Sequence, residues 1–227
     1  MPSQLPLPLG AKSSMTREDF ITAPANAEAV AFIDSWPDWP VTFAALHGPS
    51  GSGKTHLVEI WKTRSQAQSF SAVELEASAL ARLNPDLPIA IEDVDSAKPN
   101  PARDVALFEL IEKASRTRPV LLTGHEPPAA WAAVLPDLKS RFSSVLAFPL
   151  WAPDDNLLAA LARKLFTDRQ LHVPETVIVR MVQSLERSPG AVRAFVAEAD
   201  AKALAEGRSI TLGLVRELVG THETGSS

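Results

Sequence analysis

The sequence predicts an α/β fold with a five-stranded parallel sheet flanked by helices, followed by an all-α region. Up to residue 150, short apolar and β-branched runs alternate with segments of helical periodicity. This alternation is typical of a parallel sheet with crossover helices. Beyond Trp151-Ala152-Pro153-Asp154 only helical patterns remain, so the clearest internal boundary lies there.

The alternation also predicts where each element and each region of the chain begins and ends. The predicted strands cover residues 41–46, 70–75, 87–91, 119–124 and 145–150. Among the strands, helices are predicted at 26–35, around 57–61, with an apolar face at 107–114, and ending at 138–142. Later helices are predicted at 154–168, 174–185, 189–206 and 211–219. We therefore divide the chain into an extended leader (1–15), an α/β base (16–152), a helical lid (153–220) and a disordered tail (221–227).

Composition excludes several classes of protein. The chain has 227 residues, 45% of them apolar, no cysteine and a net charge of −5. We therefore expect no disulfide, no thiolate metal site and no autonomous binding to DNA. No apolar run is long enough to span a membrane, and no basic leader precedes an apolar segment. These observations predict a cytoplasmic protein without a membrane partner.

One segment after the first predicted strand fits a phosphate-binding pattern at every fixed position. It reads Gly48-Pro49-Ser50-Gly51-Ser52-Gly53-Lys54-Thr55 and matches G-x-x-x-x-G-K-[ST]. Glycines bring backbone N–H groups close to phosphate oxygens, and the N-terminus of the next helix favours an anion. Lys54 is expected to reach the β- and γ-phosphates, and Thr55 to hold Mg²⁺. His56 is assigned to the same site. A Gly/Ser-rich surface loop is the alternative, but it rarely has this spacing between a strand and a helix.

Acidic residues follow the third predicted strand as Glu92-Asp93-Val94-Asp95. Carboxylates at the end of an apolar strand form the second half of a P-loop site. Glu92 is the predicted Mg²⁺ ligand, and Asp93 is predicted to position a water molecule.

Three other side chains allow both a site role and a structural role. Thr123 ends the fourth strand, where its hydroxyl could meet the γ-phosphate or an attacking water, or could cap the next turn. Phe20 and Ile21 precede the first helix, where they could form a wall of an adenine pocket or belong to the core.

The leader combines prolines with leucines, which excludes a helix and favours an extended backbone. Such a segment is either a tail that folds back or a peptide that docks into an apolar groove. Its core, Gln4-Leu5-Pro6-Leu7-Pro8-Leu9, resembles the hexapeptide with which proteins bind the bacterial sliding clamp. The predicted contact residues are Gln4, Leu5, Leu7, Pro8 and Leu9.

The P-loop, the alternating strands and the helical lid resemble the AAA+ nucleotide switches. Two segments, 123–128 (TGHEPP) and 135–142 (LPDLKSRF), resemble the central segments of the DnaA replication-initiator family. The similarity is greatest to its short regulatory branch, the Hda proteins. Those proteins carry the clamp hexapeptide and lack the initiator's C-terminal DNA-binding domain, and we expect the same here.

The resemblance implies roles for individual residues. Gly48 to Thr55 would be Walker A, Glu92-Asp93 Walker B and Thr123 sensor 1. Arg141 would be an arginine finger presented to a neighbouring subunit, and Arg193 would be sensor 2. An ordinary surface ion pair is the alternative for Arg141. Arg193 lies in the first turn of its helix, where the dipole disfavours a cation, so it is either held for a ligand or simply exposed.

The acidic pair departs from the family pattern, which usually begins with Asp. Here the first acid is the longer Glu92 and the second is Asp93. Mg²⁺ requires near-ideal octahedral geometry at short distances. We therefore expect the protein to hold nucleotide well and to have at most a weak ATPase activity of its own.

The resemblance implies a regulator of replication initiation that binds ADP or ATP with Mg²⁺. It would dock on the DNA polymerase sliding clamp and place Arg141 beside the ATP of the DnaA initiator, stimulating hydrolysis there. Two alternatives remain open at this stage. One is a self-acting AAA+ ATPase such as a helicase loader, and the other is a binding module with a structural nucleotide. A homo-oligomer is also compatible with the sequence.

Overall fold

A computed structural model describes residues 15–75 and 83–224. The predicted clamp hexapeptide at residues 4–9 therefore lies outside the described residues. Met15 is the first residue described, and it lines a cleft that is discussed below.

Five parallel strands form one sheet, which confirms the predicted fold class. They are β1 (Phe43–His47), β2 (Gln68–Ser71), β3 (Ile89–Glu92), β4 (Val120–Gly124) and β5 (Leu146–Pro149). Their spatial order is β2-β3-β4-β1-β5. His47 of β1 is in register with Gly124 of β4 and with Pro149 of β5. The segments that leave these three strands therefore meet at one edge of the sheet.

Eight α-helices occur in the described part of the chain. They are α1 (Ala27–Asp34), α2 (Lys54–Ser65), α3 (Pro101–Glu112), α4 (Pro136–Ser144), α5 (Asp155–Asp168), α6 (Glu175–Ser184), α7 (Pro189–Glu206) and α8 (Leu212–Thr224). Asn100, Asp154 and Ser188 cap α3, α5 and α7 through their side chains, as their residue types favour. Within residues 15–75 and 83–224, no helix is long and apolar enough to cross a membrane.

The second strand and the last helix end at residues other than those predicted. The second strand was predicted at 70–75, but β2 ends at Ser71 and a 3₁₀ turn follows at Ala72–Glu74. The Ser71 hydroxyl accepts a hydrogen bond from the Val73 N–H, and this local bond competes with the sheet ladder. The last helix continues to Thr224, beyond the predicted start of the tail at residue 221.

The sheet separates two apolar cores, and the lid contains a third. Ile89 and Ile91 of β3 pack with α3 and α4, whereas Ala90 faces α1 and α2, because side chains alternate along a strand. The lid core is formed by α5 to α8. The lid helices therefore bury an apolar surface of their own beside the base.

Candidate functional site

The loop between β1 and α2 has a backbone that glycine alone fits well. Gly48 and Gly53 have φ angles of 151° and 104°, which side-chain-bearing residues rarely adopt. A Cβ atom at Gly48 would lie 2.0 Å from the Leu150 carbonyl oxygen, and one at Gly53 would lie 2.9 Å from the Phe20 ring. The loop therefore curls tightly against its neighbours and ends where α2 begins.

Lys54 places a buried cation inside this curled loop. Its side chain is buried, and its Nζ donates hydrogen bonds to the carbonyl oxygens of Gly48 at 2.7 Å and Pro49 at 3.0 Å. Burial lowers the pKa of Lys54, while the charges of Asp93 and Asp95 raise it. A buried ammonium that contacts only neutral carbonyl groups is stabilised further when an anion binds to it. Lys54 is therefore suited to binding an anion that enters the loop.

Ser52 gives a second, independent sign that the loop takes an anion. Its hydroxyl is buried and has no hydrogen-bond partner among the described residues. A buried polar group without a partner costs free energy, and a ligand oxygen would remove that cost. The first N–H groups of α2, a helix of 12 residues, lie at the same place and favour negative charge. These donors together fit a phosphate group.

Glu92 and Thr55 meet on the α2 side of the sheet. Glu92 has the same strand parity as Ala90, and the Thr55 side chain makes a hydrogen bond to its carboxylate. Burial raises the pKa of Glu92, and the bond from Thr55 and the charge of Lys62 lower it.

A hydroxyl and a carboxylate are oxygen ligands suited to Mg²⁺. No group of three or more His, Cys, Asp or Glu side chains that could hold a metal occurs in the described part of the chain. Mg²⁺ at Thr55 and Glu92 would therefore need phosphate oxygens and water to complete its shell, as this ion usually does.

Asp93 turns the chain out of β3 and lines the cleft. Its φ angle is 56°, an uncommon value for a residue with a side chain. Its N–H donates to the Thr123 hydroxyl at 3.1 Å. Thr123 is 1% exposed and is not part of the cleft lining. In the structure the Thr123 hydroxyl therefore holds the Asp93 turn, and its predicted contact with a terminal phosphate stays a prediction.

The sequence analysis did not single out His125, which the structure places in the cleft. Its Nε2 lies 3.2 Å from the Ser50 hydroxyl, and its Nδ1 lies 3.3 Å from Oδ1 of Asp95. The other Asp95 oxygen accepts the N–H groups of His125 and Glu126, each at 2.7 Å. Asp95 thus orients the imidazole toward the glycine-rich loop.

The far end of the cleft is apolar, and Phe20 and Ile21 line it. Phe20 also packs in the core between α1 and α2, so both roles left open by the sequence apply to its position. Leu157, Leu158 and Leu161 of α5 line the same cleft, whose volume is about 590 Å³. This slot beside the phosphate-type loop has the size and the apolar character of a small-molecule site.

His56 supports this wall from α2. Its ring lies edge-on to Phe20 with centroids 5.1 Å apart, and its Nε2 donates to the Thr16 carbonyl at 3.0 Å. Burial lowers the pKa of His56, and the nearby Arg193 lowers it further, against opposing effects of Thr16 and Asp19. Burial therefore favours the neutral form of His56, and its hydrogen bond to Thr16 ties the segment before α1 to the cleft.

Arg193 enters the cleft from α7 in the lid; it is the fifth residue of that helix and so lies in the second turn, not in the first turn as predicted. Burial lowers its pKa, while the charge of Asp19 raises it. Asp19 also forms an ion pair with Lys164 of α5 at 2.9 Å. The half-buried position of Arg193 in the cleft lining favours a role toward an anionic ligand, because a cation removed from water needs an opposite charge.

Arg141 lies on α4 and is not part of the cleft lining. Its guanidinium is 44% exposed and pairs with Glu112 at the end of α3, at 2.5 Å. The start of α4 is anchored by the buried Asp104, whose Oδ2 accepts the N–H groups of Val134 and Leu135. Arg141 is thus an exposed cation on a firmly anchored helix.

Sequence comparison links the chain to bacterial proteins. No protein-family model matches it. An uncharacterised protein of Haemophilus influenzae is 29% identical over 162 residues, covering 63% of this chain and 66% of that protein. The chromosomal replication initiator protein DnaA of Caulobacter vibrioides is 28% identical over a 250-residue alignment, covering 94% of this chain and 49% of DnaA. The chain therefore spans about two thirds of the first relative and about half of the second.

Structural comparison identifies the fold. Domain III of DnaA from Thermotoga maritima superposes with a TM-score of 0.74 at 17% identity, covering 91% of this chain and 96% of that one. DnaA of Aquifex aeolicus bound to AMPPCP gives a TM-score of 0.69 at 14% identity, covering 82% and 64%. The chain therefore has the fold of DnaA domain III, and its sequence is similar to that of DnaA.

Proposed function

We propose that the chain is an Hda-type regulator of chromosome replication initiation. It binds ADP or ATP in its own cleft, docks on the sliding clamp through residues 4–9 and supplies Arg141 to ATP bound by the DnaA initiator. The observation that carries this proposal is the separation of two cationic sites. Lys54 and Arg193 serve the chain's own cleft, whereas Arg141 is exposed on α4, outside that cleft.

Adenine nucleotide is the ligand that the cleft supports best. The loop donors around Lys54 and Ser52 fit phosphates, and the apolar slot at Phe20 and Ile21 fits a flat base. The DnaA structure with AMPPCP shows that a protein of the same fold takes an adenine nucleotide. Thr55 and Glu92 would hold Mg²⁺, which neutralises phosphate charge when bound.

Arg141 acts on the partner and not on the chain's own nucleotide. An arginine supplied in trans stabilises the charge that develops on a transferring phosphoryl group, and such a residue contributes roughly 10³- to 10⁵-fold in rate. The chain's own turnover stays weak because Asp93, the shorter acid, occupies the water-positioning place. Clamp docking raises the effective concentration of Arg141 near the initiator.

The decisive experiment measures hydrolysis of ATP bound to DnaA, with DNA-loaded clamp and with or without this protein. We expect the wild type to accelerate hydrolysis and Arg141→Ala to remove at least about 10³-fold of that acceleration. Lys139→Ala changes another exposed cation of α4 and serves as the matched control. Acceleration retained by Arg141→Ala would overturn the finger assignment.

A second measurement separates docking from chemistry. Deletion of residues 1–10 should abolish co-elution with the clamp, while Arg141→Ala should leave co-elution intact. Rapid ATP turnover by the protein alone, or on single-stranded DNA, would instead support a self-acting ATPase. Stability that rises with nucleotide while DnaA hydrolysis stays unchanged would support a purely structural nucleotide.

A further inference from the structure

Ser50, His125 and Asp95 form a hydrogen-bonded row inside the cleft, here called the Ser–His–Asp row. It joins the glycine-rich loop to the two segments that leave β3 and β4. The distances are 3.2 Å from Ser50 Oγ to His125 Nε2 and 3.3 Å from His125 Nδ1 to Asp95 Oδ1. Ser50 and His125 both line the cleft, so a ligand in the loop meets them directly.

The hydrogen-bond pattern fixes which nitrogen carries the proton when His125 is neutral. An ionised carboxylate only accepts hydrogen bonds, so Nδ1 must donate to Asp95. Nε2 is then an acceptor, and the Ser50 hydroxyl donates to it. A phosphate oxygen is also only an acceptor, so the neutral ring has no hydrogen-bond donor for it at Nε2. The imidazolium, in contrast, presents an N–H at Nε2.

The position of the row selects one part of a nucleotide. In the proposed nucleotide site, Lys54 and the N-terminus of α2 would face the phosphates, while Phe20 and Ile21, at the other end of the cleft, would face the base. Ser50 lies in the first half of the loop, and His125 follows the strand beside β1. His125 would therefore face the end of the phosphate chain. That end carries the third phosphate, which a triphosphate has and a diphosphate lacks.

We infer that the Ser–His–Asp row discriminates nucleoside triphosphate from diphosphate by coupling the third phosphate to protonation of His125. This inference rests on the proposed nucleotide binding. A diphosphate leaves the Ser50–His125 hydrogen bond in place. A triphosphate replaces Ser50 at Nε2 and binds together with one proton, which Asp95 stabilises from Nδ1. The other charged and titratable groups near the row are Asp93 and Lys54, which line the same cleft, Glu126, which follows His125, and His47, which is in register with Gly124. The Ser96 hydroxyl also lies 3.5 Å from His125 Nδ1.

The test is isothermal titration calorimetry of ATP and ADP with the full chain across roughly pH 5 to 8, where an imidazole titrates. We expect the ratio of ATP affinity to ADP affinity to fall as pH rises, by up to about tenfold per pH unit, which is the slope of one linked proton. Repeating each titration in buffers of different ionisation enthalpy should show greater proton uptake for ATP than for ADP.

Three variants separate this row from other titrating groups. His125→Gln, which cannot take up a proton, should make the ATP-to-ADP ratio independent of pH. Ser50→Ala removes the hydroxyl that competes with the third phosphate for Nε2 of His125 and should raise that ratio at low pH. His56→Gln changes the other imidazole of the cleft and should shift both nucleotides equally. The terminal phosphates of both nucleotides titrate near pH 6 themselves, so the comparison with His125→Gln is the deciding one.

The outcomes distinguish this inference from the proposed function. Equal pH slopes for ATP and ADP in the wild type, or an unchanged difference in His125→Gln, would overturn the inference while nucleotide binding stands. Absence of binding by either nucleotide would overturn the proposed function and the inference together.

Discussion

The cleft and the Arg141 helix use charged side chains in opposite ways. In the cleft, Lys54 is enclosed by the loop and contacted by two carbonyl groups, and Arg193 reaches in from the lid. On α4, the Arg141 side chain is 44% exposed and forms an ion pair with Glu112. Burying a cation costs free energy unless an anion pairs with it. An exposed cation costs little free energy, and its ion pair contributes little to stability. The cleft therefore holds donors for its own ligand, and Arg141 is suited to a partner that desolvates it.

The largest expected change in the free energy of unfolding comes from the residue that anchors α4, the helix that carries Arg141. Asp104→Ala leaves Arg103 as a buried cation without its carboxylate and frees the two N–H groups before α4. Loss of one partner from a buried ion pair costs about 3–5 kcal/mol. We expect a decrease of that size in the free energy of unfolding, measured with urea.

The matched control for Asp104 is Asp137→Ala, which changes an exposed acid in the first turn of the same helix. Its effect should stay within about 1 kcal/mol. Equal effects of Asp104→Ala and Asp137→Ala would show that the helix is not anchored through the buried pair, and the contrast between anchor and exposed finger would fail.

The sequence predicted the loop better than the rest of the cleft, for a physical reason. Residues Gly48 to Thr55 are contiguous, and their spacing alone specifies the anion cradle. His125 and Asp95 enter the cleft only because β4 lies next to β1 and β3 next to β4. Strand order depends on long-range packing, which local patterns do not encode. Polar residues just after neighbouring strands are the signal that would have identified both.

Element boundaries show a similar limit. The alternation of patterns predicted all five strands, but β2 ends early because Ser71 starts a 3₁₀ turn. Val73 has strong strand propensity, yet it is 68% exposed, so the apolar side chain belongs to no core. Local hydrogen bonding prevailed over propensity at this position.

Lys54→Met should separate the two regions by ligand binding. The variant removes the buried donor of the cleft, and we expect ADP and ATP affinity to fall by about 100-fold, since hydrogen bonds to charged groups contribute about 1.5–3 kcal/mol. Titration of a fluorescent adenine nucleotide would measure it. Lys62→Met, on the same helix and paired with Glu59, is the control. If Lys54→Met lowers nucleotide affinity by less than about threefold, the loop does not use this cation to bind the phosphates.

The pH dependence of stability tests the buried imidazole of the cleft. Burial lowers the pKa of His56 in the folded chain. Below the ordinary pKa of about 6.5, His56 therefore binds a proton in the unfolded chain but not in the folded chain. The free energy of unfolding should therefore fall as pH decreases from that value toward the lower folded pKa. Urea unfolding at several pH values would measure the change.

Two variants identify the group responsible for that pH dependence. His56→Gln should reduce the loss of stability below neutral pH, whereas His172→Gln, at an exposed position of the lid, should leave it unchanged. If both variants keep the wild-type pH dependence, the neutral state of His56 does not contribute to the stability of the cleft.

The smallest expected effect concerns the ion pair that holds Arg141. Glu112→Gln removes the partner charge, and exposed pairs contribute about 0.2–1 kcal/mol, which corresponds to at most about fivefold in an equilibrium. If the pair restrains the proposed finger, stimulated hydrolysis of DnaA-bound ATP should rise by up to that factor, most clearly at low salt. Glu109→Gln removes a comparable exposed partner from Lys113 on the same helix and should change nothing. A decrease with Glu112→Gln would show that Glu112 aims Arg141 at the partner, because loss of a restraint can only increase the fraction of Arg141 that is available.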